Sequence, residues 1–365
     1  MSYTNGLDNP ELYFQIKLYT GDGNSTQAIT LDGSENMQPD WIWIKNRTDG
    51  HYHNLNDSVR GVGAAKVLRS NTNAAESGTS GHVSVIGSNG FTVAAGTSDS
   101  EEVNTSSDNY VAWNWKAGTS FTNDASATSV GSIDSAGSIN TTAGFSIISY
   151  TGTGSAGTVA HGLGVAPSLY IVKNRSSAQS WRVFVSSLGA NKILRFNTTH
   201  ASSTDTSMWN NTSPTSSVFS IGTPSQVNTS SENYIAYCFA EKKGYSKIGS
   251  YTGNGGSSGV SNADGTFVYT GFRPAWVMIK RTDSAQQWGI ADSKRDVDNP
   301  AQHHLFAEDS QAGGASSYNN FDLLSNGFKL RSGDQWTNVS GGTYIYMAFA
   351  ESPFVNSNGV PNNAV

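Results

Sequence analysis

"WIWIKNR", residues 41–47, decides how this chain is read. Four successive apolar residues cannot serve a strand with one wet face, so the run must be a strand covered on both sides. Pro39, two residues earlier, suits a strand edge or start, and Thr48-Asp49-Gly50 is a turn signal. The chain then returns as "HYHNLND" from His51, which predicts a hairpin.

The run recurs as "LYIVKNR" at 169–175 and "WVMIKR" at 276–281, and its surroundings recur with it. A proline stands six residues before each lysine, Pro39, Pro167 and Pro274 before Lys45, Lys173 and Lys280. A Tyr-Thr-Gly triplet precedes each run, at Tyr19, Tyr150 and Tyr251, and an aromatic strand closes each at Tyr110, Tyr234 and Tyr344. Eight residues past the lysines stand His53, Trp181 and Trp288. A period of about 100 to 130 residues is domain-sized, longer than a solenoid repeat. Apolar alternation, β-branched and aromatic enrichment and regular Gly/Asn/Asp/Ser punctuation predict short antiparallel strands.

The expected fold is therefore all-β: three tandem homologous antiparallel β-sandwich domains, with jelly-roll-like connectivity as one possible form. The boundaries are residues 1–118, 144–244 and 245–365 with a C-terminal tail. Residues 119–143, "TSFTNDASATSVGSIDSAGSINTTA", are expected to be a Ser/Ala/Thr/Gly-rich linker. The few residues around "EKKGYS" between the second and third units predict a more rigid packing of that pair.

Composition limits the function. With 22 Lys+Arg against 28 Asp+Glu the formal charge is -6, which argues against a nucleic-acid or anionic-membrane binder. Aromatics at 11% and charged residues at 14% separate the chain from highly charged disordered sequences. Cys238 is the single cysteine, so no intrachain disulfide forms, and in "YIAYCFA" it reads as a buried inert thiol. No stretch approaches the roughly 20 apolar residues of a membrane span. "MSYTNGLDNPELYFQ" has neither basic start nor apolar core, so standard secretion is not expected.

The candidate chemistry divides into weak and recurrent signals. "GTGSAG", Gly152 to Gly157, has the Gly spacing of a dinucleotide loop, but "TVAHGLGVAP" cannot open the required long helix, so glycines with positive backbone angles are the expected use. His51 with His53, and His303 with His304, lack further ligands at metal-site spacing. "DGNST" (22–26) and "NADG" (262–265) are oxygen-rich but short of a calcium-ligand series. No catalytic residue, metal or cofactor is expected. "DSVRG" and "DSKRD" place Asp57 with Arg60 and Asp292 with Arg295, three residues apart, twelve residues beyond Lys45 and Lys280. These six are expected in structural ion pairs, with a partner for Lys45 near Asp57. The second unit has "SSLG" from Ser186 at nearly that offset and has drifted. Trp209 in "DTSMWNNTS" and Trp336 in "GDQWTNVS" are lone tryptophans among amides, the composition of a glycan or partner contact.

The assembled stretches resemble a family, the tandem-repeat virion structural or tail-fibre-like proteins of marine bacteriophages. The resemblance rests on "TVAHGLGVAPSLYIVKNRS", "NYIAYCFAEKKGYSKIGSYTGNG", "DGTFVYTGFRPAWVMIKR" and "YIYMAFAESPFVNSNGVPNNAV", and extends from about residue 10 over nearly the whole chain. It implies a non-enzymatic protein on the particle exterior, a tail fibre or head decoration in host attachment or particle stabilisation. Other virion proteins are the implied partners, with a homotrimer as the first expectation and no nucleic acid or membrane insertion. The competing reading is a lectin-like or polysaccharide-depolymerising module that grips a host surface glycan.

Overall fold

The computed structural model describes residues 7–96, 102–255, 264–315 and 321–362. Strand accounts for 44% and helix for 4%, so the all-β class holds, and the strands form several antiparallel sheets consistent with β-sandwiches.

One strand order occurs three times. An opening strand carrying Tyr-Thr lies beside a closing strand, then the lysine strand, then its return strand. These are Phe14–Thr20, Asn109–Trp115, Trp41–Asn46 and Asn54–Asp57 in unit one. They are Phe145–Thr151, Asn233–Phe239, Leu169–Asn174 and Arg182–Val185 in unit two. Unit three uses Ser246–Thr252, Thr343–Pro353, Phe272–Arg281 and Trp288–Asp292. A smaller sheet covers each: Thr26–Thr30, Gly90–Ala94 and His82–Gly87; then Gly157–Ala160 with Val218–Ile221; then Phe267–Tyr269, Gly327–Leu330 and Phe321–Leu324. In unit one the first strand pairs with the last and the second with the next-to-last, as a jelly roll requires. The lysine and return strands depart from it, staying in one sheet as a hairpin.

The same residues mark the same joints in each unit. The paired tyrosines Tyr19 and Tyr110 stack at 5.0 Å, Tyr150 and Tyr234 at 5.1 Å, and Tyr251 and Tyr344 at 4.9 Å. The glycine of each triplet is fixed by crowding. A Cβ on Gly21, Gly152 or Gly253 would lie 2.2, 2.1 or 2.3 Å from the carbonyl oxygen of Thr105, Thr229 or Val339.

The lysine strand is covered on both faces, as its sequence requires. Ile42 and Ile44 enter unit one's own core, whereas Trp41 and Trp43 enter a core common to all three units. Tyr170 and Val172 against Leu169 and Ile171, and Val277 and Ile279 against Trp276 and Met278, divide in the same way. The closing strands line this shared core with Val111, Trp113 and Trp115, Ile235, Tyr237 and Phe239, and Ile345, Met347 and Phe349. Rings touch across the units: Trp41 stacks on Tyr237 at 4.5 Å, Trp115 meets Trp276 edge-on at 5.7 Å, and Phe239 meets Phe349 at 5.9 Å. Phe196 contacts Trp43, Trp181 and Trp288, one ring from each unit.

Two expectations are corrected here. Residues 119–143 are no spacer: Thr119–Asn123 and Ser135–Asn140 pair with each other, and the second pairs with the opening strand of unit two, extending that sheet to eight strands. Alternation lets this small-residue segment pair, and Ser135 and Ser138 are buried by it. Nor do units two and three form a privileged pair, since unit one contributes Trp41, Trp43, Trp113 and Trp115 to the common core.

Candidate functional site

The recurring lysine builds the joints between units. It lies on the Trp41/Trp43 face of its strand, which directs it at a neighbouring unit. Lys45 Nζ donates to the carbonyl of Asn46 (2.8 Å) and to that of Ser310 in unit three (3.0 Å). Lys173 donates to Asn174 (2.7 Å) and to Asn73 in unit one (3.2 Å). Lys280 donates to Gln286 (2.5 Å) and to Thr199 in unit two (2.9 Å). The directions run one to three, three to two and two to one, so the contacts close into a ring. All three lysines are buried, and burial pushes their ammonium groups down to about 8, about 7 and about 8.

The residue eight positions on follows the same circuit. Trp181 Nε1 donates to the carbonyl of Arg69 (3.0 Å), and Trp288 Nε1 to that of Arg195 (2.9 Å). In unit one the reach is split: Trp43 Nε1 donates to His53 Nδ1 (2.8 Å), and His53 Nε2 lies 2.9 Å from the Phe306 carbonyl and 3.1 Å from that of Asp309. The tryptophan's proton on Nδ1 requires the ring proton on Nε2, which donates onward. Burial drives His53 down to about 3, so the ring is neutral.

Asn46 and Asn174, next to two of the lysines, secure the turn. Asn46 Oδ1 accepts from the backbone of Thr48 and Asp49 while its amide donates to Asp108 and the Tyr110 hydroxyl. Asn174 repeats this with Ser176, Ser177, Glu232 and Tyr234. The Lys-Asn pair therefore has a local task and an interunit task.

Asp57 and Arg60 are a buried pair at 2.5 Å, and Asp292 with Arg295 repeats it at 2.5 Å. Each aspartate also receives a proton donor from the neighbouring unit, Tyr237 OH onto Asp57 (2.6 Å) and Trp113 Nε1 onto Asp292 (2.9 Å). Register explains the drift of the second unit. Val185 pairs with Leu169 as Asp57 does with Trp41, so Val185 and Leu188 stand where Asp57 and Arg60 do. Met347 holds on its closing strand the position of Trp113 and Tyr237. All three polar members are replaced by apolar side chains, with Val185 and Met347 in the shared core and Leu188 packed against it.

Other expectations are corrected by geometry. Lys45 does not pair with Asp57: Asp57 lies opposite Trp41, at the far end of the hairpin. Lys280 likewise donates to carbonyls, whereas Asp292 pairs with Arg295. Trp209 is 0% exposed, with Nε1 donating to the Lys192 carbonyl and its ring against Tyr170 and Phe184. Trp336 is 9% exposed and packs on His304 and Phe306. Neither ring offers a face to a sugar; the polar neighbours in sequence concealed a ring folded back onto its own unit. Cys238 is buried, its thiol pushed up to about 12. Asp22 of "DGNST" accepts from Asn24 and Asn104, and Gly23 and Gly154 have φ of 71° and 76°. Of "NADG", only Asp264 and Gly265 lie within the described residues.

The residues that sequence reasoning missed are Glu76, Arg175, Trp113 and Tyr237. Glu76 joins units one and two by bridging Arg60 (3.0 Å) and Arg175 (2.9 Å). Arg175 was visible as the last residue of "LYIVKNR", but its partner lies in unit one's loop, outside any repeat.

The site is thus a cyclic set of buried joints in an all-β three-unit body. The chain belongs to the family described as Domain of unknown function (DUF7483), whose model matches residues 9–353. That single match crosses both unit boundaries, in keeping with one shared core. No curated protein and no solved structure matches the chain.

Proposed function

We propose that the protein is a non-enzymatic structural component on the exterior of a bacteriophage particle, a tail or head appendage in host attachment or particle stabilisation. The observation that carries this reading is the closed ring of joints. The recurrent Lys, His/Trp and Asp-Arg groups bind carbonyls and one another across units. Buried groups paired in this way hold shape, and a ring closed inside one chain does not dissociate on dilution. The threefold arrangement expected of a homotrimer is, on this reading, met within one chain, and its other partners are virion proteins. The glycan-gripping alternative is left without its two aromatic carriers, Trp209 and Trp336.

Labelled antibody on intact particles, viewed by electron microscopy, tests the proposal. Label on the outer surface of undisrupted particles is expected; label only after disruption, or none, would contradict it.

A further inference from the structure

Three corresponding places, one in each unit, show what the second lacks. In unit one Asn54 lies opposite Ile44, and the Leu55–Leu68 bridge sets Arg69 beside it. Glu102, eight residues before the closing tyrosine, sits on both: Arg69 holds Oε1 through Nε (2.9 Å) and Nη2 (2.6 Å), and Asn54 donates to Oε2 (2.9 Å). In unit three the equivalents are Gly289, Phe306 and Trp336. The indole fills the space over Gly289, where a Cβ would lie 2.1 Å from its ring, and packs on Phe306 at 5.6 Å. Both arrangements are complete.

In unit two the equivalents are Arg182, Arg195 and Gln226. Arg182 lies opposite Val172 and pairs with Arg195, so two cations face each other on adjacent strands, an arrangement that like-charge repulsion disfavours. Where Glu102 supplies a carboxylate, Gln226 supplies an amide, which donates to Gln179. The nearby Asp205 offsets part of the charge on Arg182, while its own hydrogen bonds go to Ser207 and Met208. Arg182 is 7% exposed, its Nη1 reaches only the carbonyls of Ser180 (3.4 Å) and Trp181 (3.3 Å), and its Nε has no hydrogen-bond partner among the described residues. Arg195 is half-buried and gives the pair a route to solvent.

We propose that Arg182 and Arg195 form a binding site for a carboxylate-bearing ligand, which takes the place that the Glu102 carboxylate holds in unit one. Guanidinium forks match carboxylate geometry, and an anion between the two arginines removes their repulsion. The joints use the Arg195 backbone carbonyl and not the two guanidinium groups, and the proposal does not depend on the particle assignment. Replacing Gln226 with Glu would supply the carboxylate from within.

The test is thermal unfolding of the full chain with glucuronate, with glucose as the neutral sugar and sodium chloride at matched ionic strength. A saturable rise in the unfolding midpoint is expected with glucuronate alone. Gln226→Glu should unfold at a higher midpoint than the parent and lose the glucuronate response, and Arg195→Gln should lose the response without that gain. No rise in the parent chain, an equal rise with sodium chloride, or an undiminished response in either variant would overturn the proposal.

Discussion

Asp57 shows how the molecule uses charge at the scale of one residue. Its carboxylate is buried and accepts from Arg60 and from Tyr237 of the next unit, while Val185 and Leu188 of unit two and Met347 of unit three hold the corresponding positions. Removing one member of a buried pair leaves the other uncompensated, at a cost of about 3–5 kcal/mol, whereas exchanging the whole set for apolar side chains can be neutral. Asp57→Val alone should therefore lower the stability measured by denaturant titration by about that amount. Asp57→Val with Arg60→Leu and Tyr237→Met should recover a good part of the loss. If the triple variant is less stable than the single one, the set is not the interchangeable module that unit two implies. The drift at Ser186 was legible in sequence; its compensation was not, because Met347 lies more than 150 residues away.

At the scale of the element, the lysine strand carries one face to its own sandwich and the other to the common core, and this sets the protonation behaviour of its lysines. The folded chain releases protons from Lys173 near pH 7 and from Lys45 and Lys280 near pH 8, well below the ordinary value of 10.5. Between those values the unfolded chain binds more protons, so stability rises with pH over that window. Unfolding midpoints should thus increase from pH 8 to 9.5, the three lysines outweighing the single Cys238 thiol, which opposes the trend, and below the range in which buried tyrosines such as Tyr150 oppose it too. Replacing all three lysines with Met should flatten the profile, and a profile unaltered by those changes would refute their part in it. Two-sided burial of "WIWI" and the hairpin were legible because four successive apolar residues admit no other strand environment. The strand role of residues 119–143 was hidden by small polar side chains, which serve a linker and an edge strand equally well. Trp209 and Trp336 misled for a related reason: loop composition describes a ring's neighbours in sequence, and their burial is decided by distant packing partners such as Tyr170 and His304.

Across the molecule, three units share one core and are closed by a ring of joints. The recurrences announced three copies of a sandwich; nothing in a repeat states whether copies are beads on a string or sectors of one body. The aromatic faces held the answer, since Trp41, Trp43, Trp113 and Trp115 exceed what unit one's own core of Ile, Val, Phe and Tyr side chains takes in. Cys238 provides a single native reporter, buried in unit two's own core and away from the shared one. The most direct measurement is the reactivity of this thiol across a denaturant titration, in the parent chain and in a Trp43→Ala variant of unit one. A loss of about 3–5 kcal/mol is expected from removing so large a buried ring. The shared core predicts that Cys238 becomes reactive at a correspondingly lower denaturant concentration in the variant, in step with the loss of far-ultraviolet dichroism. An unchanged Cys238 midpoint, with dichroism lost in separate steps, would contradict it and make the units independent domains.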